Sequence, residues 1–267
     1  MFAGSGTGKM AQHLFGLDGR TAFVSGARGH LGKAMVQALC AAGAHVIVNG
    51  RDEAALARFE TDLKQQNFSV SRATFDVADL GAVRAFFGGL KRLDILVNNA
   101  VAMQVKSFAK LSAEDFAATY ASSVTASFEA VRAALPALKA GVAGCGEASV
   151  INIASMYGQV SPDRRLYDEP GQQSPFHYGP AKAGLLQLTR HLAGELGAEK
   201  IRVNALVPGP FPHQAAPDFA QALAGRTMLG RLGRGEEIAG PLLFLASPAS
   251  SFVTGTALNV DGGWTAW

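Results

Sequence analysis

The stretch TAFVSGARGHLG, residues 21–32, decides the fold of this chain. A short apolar run, Thr21–Ser25, leads directly into a glycine-rich turn, and a helical pattern over Leu31–Ala42 follows the turn. The apolar run has no polar alternation, which predicts a strand buried on both faces. A strand, a glycine-rich turn and a helix in immediate succession are typical of a parallel sheet covered by helices.

The same alternation continues along the chain. The pattern predicts strands at Thr21–Ser25, His45–Asn49, Ser69–Thr74, Ile95–Asn98, Ser149–Ala154, Arg202–Val207 and Ala257–Val260. It predicts helices at Leu31–Ala42, Glu53–Gln66, Leu80–Leu90, Ala113–Ala140, Tyr178–Leu196 and Glu236–Ala246. We therefore expect an α/β fold: a single doubly wound Rossmann-type domain over residues 17–267, with a parallel sheet of about seven strands and helices on both faces. Residues 1–16 are expected to form a flexible leader.

Composition excludes several classes of protein. Hydrophobic residues make up 48% of the 267 residues and charged residues 17%, which indicates a compact domain rather than a disordered chain. The net charge of +3 is dispersed, so nucleic acid binding is not expected. Apolar runs are too short to span a membrane, and the N-terminus lacks the apolar core of a secretory signal. Cys40 and Cys145 have neither metal nor redox spacing, so we expect free thiols in a cytoplasmic protein without a metal site.

The glycine-rich turn is a candidate phosphate-binding loop. Glycine lets backbone amides approach a pyrophosphate, and the N-terminus of the following helix favours its negative charge. A glycine-rich turn alone is weak evidence, but its place between a first strand and a first helix strengthens the hypothesis. The predicted cofactor residues in this loop are Gly26, Arg28, Gly29, His30, Leu31 and Gly32. A second glycine-rich segment, residues 4–9, lacks the preceding strand and the following Ser or Thr of a P-loop.

The tip of the second strand predicts which dinucleotide is bound. It carries Gly50 and Arg51 where an NAD site usually places a carboxylate for the adenine ribose. A cation suits the 2′-phosphate of NADP(H), and Arg28 in the loop supplies a second one. NADP(H) is therefore favoured, and NAD(H) stays possible. The alternative is that Arg51 is only a solvated surface residue and that Asp52 caps the next helix.

From about Leu17 to the C-terminus the chain resembles the short-chain dehydrogenase/reductase family. The resemblance rests on the order and spacing of several motifs, none decisive alone. They are the glycine-rich loop, Asp76-Val77, Asn98-Asn99-Ala100, Ser155, Tyr178-x-x-x-Lys182, Pro208-Gly209 and Val260-Asp261-Gly262-Gly263-Trp264. Within the family the chain looks most like the gluconate 5-dehydrogenase-like and 3-oxoacyl-reductase-like members.

The resemblance implies an oxidoreductase that moves a hydride between a nicotinamide and a carbonyl or secondary alcohol. It implies that Asp76 and Val77 contact the adenine, and that Asn98 and Ala100 lie on the ribose side of the cofactor. Ser155 would hold the substrate oxygen, Tyr178 would transfer the proton and Lys182 would bind the nicotinamide ribose. Pro208 and Gly209 would line the nicotinamide. The resemblance also implies a homotetramer, or a homodimer, and a small-molecule substrate.

Elementary chemistry supports the Tyr178 and Lys182 pair independently. Residues four apart share a helix face, so the two side chains can meet. A free tyrosine has a pKa near 10, and an adjacent ammonium lowers the pKa of the phenol towards a useful value. A serine hydroxyl can donate to the same carbonyl oxygen as it gains negative charge. Pro180 is compatible with a helix that begins near Tyr178, because first-turn amides lack partners within the helix.

The chain departs from the family pattern near the cofactor. His30 occupies the position where the family has a glycine; it either crowds the pyrophosphate or donates to it. Val101 stands where a glycine usually ends the Asn-Asn-Ala-Gly motif. The family asparagine that holds a water in the proton relay to the lysine aligns with Ser123. Ser123 either serves that water, or the relay is rerouted, or Ser122 and Ser123 are ordinary polar helix positions.

A longer segment than usual separates Ser155 from Tyr178. Residues 159–177 are polar and proline-rich. They follow the carboxyl end of a predicted strand, and such folds carry their sites at the carboxyl ends of the strands. One hypothesis is a polar lid over the substrate, favouring a hydroxylated or charged compound. The alternative is a surface loop or a subunit contact.

Two other functions fit the same scaffold. One is a regulator that binds the nucleotide without turning it over, which Ser123 and His30 favour and the Ser155, Tyr178 and Lys182 set opposes. The other is an epimerase or dehydratase that uses a bound nucleotide catalytically, which fold similarity alone does not exclude.

Overall fold

The computed structural model describes residues 14–167 and 173–267. Its centre is a sheet of seven parallel strands in the order β3-β2-β1-β4-β5-β6-β7. The strands are β1 (Thr21–Val24), β2 (His45–Gly50), β3 (Val70–Thr74), β4 (Ile95–Asn98), β5 (Ala148–Ile153), β6 (Ile201–Pro208) and β7 (Ala257–Val260). The reversal of strand order beside β1 is the doubly wound arrangement, and the predicted fold class is confirmed.

The described residues form eight α-helices. They are α1 (His30–Ala41), α2 (Glu53–Gln65), α3 (Leu80–Gly88), α4 (Ala113–Tyr120), α5 (Ala126–Cys145), α6 (Tyr178–Leu196), α7 (Pro217–Ala224) and α8 (Ala239–Ala246). None of the helices in these two ranges is long and apolar enough to cross a membrane.

Alternate residues of each central strand face opposite layers of helices. In β1, Val24 belongs to a core with Met35 of α1 and Leu242 of α8. Phe23, its neighbour in sequence, belongs to a second core formed with α3, α5 and α6. Successive side chains of a strand point to opposite faces, so an uninterrupted apolar strand requires two covered faces. This is why a strand of only four residues specifies a three-layer protein.

The predicted elements recur with small shifts at their ends, and three differences are larger. The helix predicted over Ala113–Ala140 is divided, because a π-helical turn at Ala121–Thr125 separates α4 from α5. The helix predicted from Glu236 begins as a 3₁₀ turn at Gly235–Ile238 and becomes α-helical at Ala239. Helix α7 lies within the proline- and glycine-rich segment for which no element was predicted; Pro217 occupies its first turn, where proline is tolerated.

The predicted leader and part of the long segment before Tyr178 cannot be compared. Residues 1–13, including the glycine-rich 4–9, and residues 168–172 lie outside the described ranges. The prediction that residues 17–267 form a single domain therefore stays a prediction.

Two helix glycines make a matched test of packing. Gly141 of α5 lies against the backbone at Leu93, and a Cβ at position 141 would overlap the Leu93 carbonyl, whereas a Cβ at Gly194 of α6 would meet nothing within 4 Å. We expect Gly141→Ala to lower the free energy of unfolding by ~1–3 kcal/mol, because the helix must move off the sheet. Gly194→Ala should raise it by about 0.5–1 kcal/mol. Urea denaturation of both variants measures this, and equal effects of the two would contradict the packing described.

Candidate active site

The glycine-rich loop is held in place by the end of β4. The Ser25 hydroxyl accepts the backbone N–H groups of Asn99 and Ala100 at 2.9 and 3.0 Å. The Asn99 side-chain amide donates to the carbonyl oxygens of Ser25 and Gly26. Gly26 has a φ of +61°, a conformation that favours glycine. The turn after β1 is therefore locked to the turn after β4 by four hydrogen bonds.

Helix α1 begins in this loop without a side-chain cap. Its first turn contains no acidic residue, and no side chain bonds to its first amides in the described ranges. A Cβ on Gly32 would overlap the Gly26 carbonyl, so only glycine lets the helix start this close to the loop. Free N–H groups and the positive end of the helix dipole remain available to an anion.

A cleft of about 680 Å³ runs along the carboxyl ends of the strands. Fifteen predicted site residues line it: Gly26, Arg28, Gly29, His30, Leu31, Gly32, Arg51, Asp76, Val77, Ala100, Ser155, Tyr178, Lys182, Pro208 and Gly209. The structure thus brings together residues that span most of the sequence.

Two predicted site residues lie outside the cleft lining. Asn98 is buried, and its side-chain amide donates to the side-chain Oδ1 of Asn152 at 2.9 Å; the Asn152 amide nitrogen in turn donates to the Thr189 hydroxyl of α6. As the last residue of β4, Asn98 faces the helical layer rather than the cleft, and the next residue, Asn99, lines the cleft instead. The second residue is Ser123.

Ser123 lies in the π-helical turn between α4 and α5 and is 1% exposed. Its hydroxyl has no hydrogen-bond partner in the described residues. The neighbouring Ser122 lines the cleft, and its hydroxyl accepts the Ala102 N–H at 3.0 Å. The two serines therefore differ: Ser122 fixes the loop after β4, whereas Ser123 offers an unused buried hydroxyl. Turns of this kind occur frequently at functional sites.

Ser155, Tyr178 and Lys182 meet at the end of the cleft. Ser155 follows β5, and its hydroxyl accepts the Tyr157 N–H at 3.2 Å. Tyr178 begins α6, and Lys182 follows one turn later on the same helix. The Lys182 ammonium donates to the Ile153 carbonyl oxygen at 2.7 Å and lies 5.6 Å from the centre of the Tyr178 ring. Together with the bond from Asn152 to Thr189, this hydrogen bond ties α6 to the end of β5.

Burial governs the acidities of this set. Burial lowers the pKa of Lys182 to about 8. Burial also raises the pKa of Tyr178, and the hydrogen bond with Ser155 lowers it by less. The expected lowering of the Tyr178 pKa by an adjacent ammonium is not the net outcome here, because removing the phenolate from water is the larger effect.

Acidic and basic residues are paired at the end of the cleft where the sequence predicts the adenine. Arg51 lies 3.5 Å from the Asp76 carboxylate, and Arg28 lies 3.9 Å from that of Asp52. Asp52 also caps α2 by accepting the Ala55 N–H, so its predicted capping role is confirmed. Both arginines are well exposed, and surface pairs of this kind are weak enough to be displaced by a stronger anion.

His177 is fully buried beside Tyr178. Its Nδ1 lies 3.0 Å from the Thr119 hydroxyl of α4, and its Nε2 lies 3.2 Å from the Gln104 carbonyl oxygen. The ring therefore joins the start of α6 to α4 and to the loop after β4. Sequence gave no signal for this role, since a single histidine has no recognisable spacing.

Gly209, a predicted site residue, packs so closely on Asp261 that a Cβ would come within 2.5 Å of the Asp261 Cα. Other residues that line the cleft were not predicted from the sequence. Beyond it, Phe211 and His213 line the cleft from the loop after β6, and Met103 lines it from the loop after β4. These residues lie on irregular loops, whose paths a sequence pattern does not specify.

Part of the long segment before Tyr178 packs next to the site. Asp163 accepts the Arg165 N–H at the start of a 3₁₀ turn and lies 3.7 Å from Arg226. The Tyr167 and Tyr157 hydroxyls are 3.0 Å apart. Two further residues of the predicted lid, Asp168 and Glu169, lie outside the described residues, so both the lid and the surface-loop interpretations stay open.

Comparisons with known proteins agree with this geometry. The family model described as enoyl-(acyl carrier protein) reductase matches residues 26–265. The rhamnolipids biosynthesis 3-oxoacyl-[acyl-carrier-protein] reductase of Pseudomonas aeruginosa is 34% identical over 259 residues, covering 94% of this chain and 98% of that protein. Gluconate 5-dehydrogenase of Gluconobacter oxydans is 32% identical over 266 residues, with coverages of 94% and 97%.

A solved structure shows the same fold. The crystal structure of a gluconate 5-dehydrogenase from Burkholderia cenocepacia, in complex with NADP and tartrate, superposes with a TM-score of 0.85 at 29% identity, covering 96% of this chain and 99% of that chain. The chain belongs to the short-chain dehydrogenase/reductase family, as its motifs predicted. It is an NAD(P)-dependent oxidoreductase that acts on a C–OH or C=O group.

Burial of Lys182 has a measurable effect on stability. Its pKa falls from 10.5 to about 8 in the folded protein, so between these values the unfolded chain binds more protons. The free energy of unfolding therefore rises with pH across this window, and the cost of burying the ammonium is fully present below pH 8. We expect Lys182→Met to remove that cost and to raise stability at neutral pH by ~1–2 kcal/mol after losing one hydrogen bond.

Denaturation of Lys182→Met between neutral and alkaline pH measures this effect. Lys33→Met, at an exposed position of α1, is the matched control and should leave the pH dependence unchanged. A strong loss of stability in Lys182→Met at neutral pH would show instead that the buried ammonium is a net stabilising group.

Proposed function

We propose that this member of the family uses NADP(H) in preference to NAD(H), and that Tyr178 is the proton donor in carbonyl reduction and the acceptor in alcohol oxidation. The observation that carries the proposal is the convergence of Ser155, Tyr178 and Lys182 in the cleft that the glycine-rich loop opens. The substrate is a small molecule with a ketone or a secondary alcohol.

The cleft fits a dinucleotide. Its volume of about 680 Å³ lies within the range of cofactor sites, and it joins the uncapped start of α1 to the Tyr178 end. The glycine-rich loop would hold the diphosphate, Asp76 and Val77 the adenine, and Pro208 and Gly209 the nicotinamide. When bound, the dinucleotide supplies or accepts the hydride.

Ser155 and Tyr178 form hydrogen bonds with the substrate oxygen in this proposal. The Ser155 hydroxyl accepts a backbone N–H, and its own hydrogen is directed towards the Tyr178 oxygen, so a substrate oxygen placed beside both hydroxyls can accept that hydrogen instead. Donation to the carbonyl oxygen stabilises the negative charge that forms there during reduction. Tyr178 donates its phenol proton to the same oxygen, and in the reverse direction it takes the proton back.

Lys182 supports this proton transfer. One of its three N–H donors is engaged by the Ile153 carbonyl, which leaves two for the nicotinamide ribose and for a water. Its positive charge stabilises the phenolate left on Tyr178. We assign Ser123 to the same relay, because its buried hydroxyl has no partner among the described residues and lies in the turn that packs against α6. There it would bind the water that returns a proton to Lys182.

Arg51 and Arg28 support the preference for NADP(H). Both line the cleft at the adenine end, and their carboxylate partners lie 3.5 and 3.9 Å away on exposed side chains. A 2′-phosphate offers a guanidinium a stronger, charge-assisted contact than either of these pairs. The related gluconate 5-dehydrogenase structure from Burkholderia cenocepacia contains NADP.

We further propose a homotetramer, or a homodimer, in the cytoplasm. Helices α4 and α5 expose a row of aromatic side chains, Phe116, Tyr120 and Phe128, each at least 36% accessible. Apolar surface of this kind on two consecutive helices is typical of a subunit contact. Cys40 and Cys145 are both free thiols, which is compatible with a reducing compartment.

Replacing the phenol tests the proton-transfer role. We expect Tyr178→Phe to lower kcat/KM for NADPH-dependent ketone reduction by about 10²–10⁴-fold, because the ring remains but the proton is lost. Fluorescence titration should show NADPH binding close to that of wild type. Tyr120→Phe, which removes a hydroxyl outside the cleft, is the control. Turnover by Tyr178→Phe within tenfold of wild type would refute the assignment.

The wild-type protein tests the alternative of a nucleotide-binding regulator. NADPH binding without turnover of any compound in a panel of ketones, keto-sugars and oxoacyl compounds would favour that alternative.

Replacing Arg51 tests the cofactor preference. We expect Arg51→Ala to weaken NADPH binding by roughly tenfold or more and to leave NADH binding nearly unchanged, because only NADPH carries the phosphate. Dissociation constants for both cofactors measure this. Arg58→Ala, an exposed arginine of α2 outside the cleft lining, is the matched control. Equal weakening for the two cofactors would contradict recognition of the 2′-phosphate by Arg51.

A further inference from the structure

Two histidines from distant parts of the sequence are in contact in the lining of the cleft, next to the glycine-rich loop. His30 is the first residue of α1, and His213 lies in the loop after β6. Their ring centres are 5.2 Å apart, with an edge-to-face angle of 83°, and both side chains line the cleft. The pair therefore spans from the wall that contains the glycine-rich loop to the opposite wall.

The position of the His30 ring is determined by its surroundings. A Cβ at Gly235 would lie 3.1 Å from the His30 Cε1, so the 3₁₀ turn at Gly235–Ile238 supports one side of the ring and His213 the other. The charged groups that face the pair are Glu236 from this turn, which is paired with Arg234 at 2.8 Å, and Arg28 from the loop.

These surroundings disfavour a charged His30 in the protein alone. Burial lowers its pKa, the neighbouring His213 lowers it further, and Glu236 opposes the shift. An anion bound beside the two rings, within hydrogen-bond reach of a nitrogen of each, would reverse this balance, because it attracts a proton to the pair and offsets the repulsion between two cationic rings. The uncapped first turn of α1, which begins with His30, is where an anion is most favoured.

We propose that His30 and His213 form a clamp on the diphosphate of the bound dinucleotide, and that the pair takes up a proton as the diphosphate enters. The inference rests on the proposed binding of the dinucleotide in this cleft. Imidazolium N–H groups donate charge-assisted hydrogen bonds to phosphate oxygens. Because one histidine belongs to each wall, the clamp closes the cleft across the middle of the cofactor. Cofactor binding thereby becomes tighter as the pH falls through neutrality.

ADP-ribose is the probe for this inference, since it carries the diphosphate but neither the 2′-phosphate nor the nicotinamide. Calorimetric titrations near pH 6.5 in buffers of different ionisation enthalpy count the protons taken up on binding. We expect about one proton per ADP-ribose for wild type, and a dissociation constant that weakens about tenfold from pH 6 to pH 8. The variant His30→Gly/His213→Asn should lose most of both effects. Contributions from Lys182 and the acidic residues cancel in the comparison, because the double variant retains them.

Two single variants sharpen the assignment. His30→Gln keeps a neutral donor but cannot take up a proton, so it should bind ADP-ribose nearly as well as wild type at pH 8 and lose the gain towards pH 6. His191→Asn, at an exposed histidine of α6 outside the cleft lining, should behave like wild type. Equal proton uptake by wild type and the double variant, with ADP-ribose bound to both, overturns the clamp and leaves the proposed function intact. If neither ADP-ribose nor NADPH binds to wild type, both proposals fail.

Discussion

The hydrogen bond from the Lys182 ammonium to the Ile153 carbonyl is the contact on which the rest of the site depends. It joins the last residue of β5 to the first turns of α6 in a place from which water is excluded. Ser155 lies two residues beyond Ile153, and Tyr178 lies one turn before Lys182, so this contact and the hydrogen bond between Ser155 and Tyr178 keep together the two groups that we propose to hold the substrate oxygen. Burying the Lys182 ammonium costs stability, and its hydrogen bond to Ile153 offsets only part of that cost. In return, the bond holds the Lys182 cation in one position.

A second set of bonds brings the strand ends into register. Ser25 and Asn99 bind the turns after β1 and β4 to each other, and Asn98, Asn152 and Thr189 form a buried chain from β4 through β5 to α6. Buried polar groups of this kind must all find partners, so they fix one arrangement of the sheet edge. The proposed cofactor and substrate ends of the cleft are thus connected through side chains rather than through the cofactor alone.

Most of the sheet and the principal motifs were predictable, because short apolar strands, glycine turns and the Tyr178–Lys182 spacing follow from rules that act over a few residues. What failed depends on three-dimensional surroundings. The division of the long helix at residues 121–125 has no signature in hydrophobic spacing, because the π-helical turn interrupts the helix without any proline or glycine to mark it. The end of β4 at Asn98 was predicted correctly, but which side of the strand its side chain takes depends on the partner Asn152, a contact that the sequence pattern does not show. The roles of His177 and His213 depend on loops that pack against each other, and the direction of the Tyr178 pKa depends on how deeply the ring is buried.

The π-helical turn between α4 and α5 has a mechanical consequence. The Ala126 N–H bonds to the Ala121 carbonyl, which adds one residue to the turn and rotates everything after it relative to everything before it. Without this offset, α4 and α5 would form one continuous helix with a single set of faces. The extra residue gives the two helices separate orientations about their axes. The largely exposed α4 is thereby set at a different rotation from α5, which buries one face against the rest of the protein.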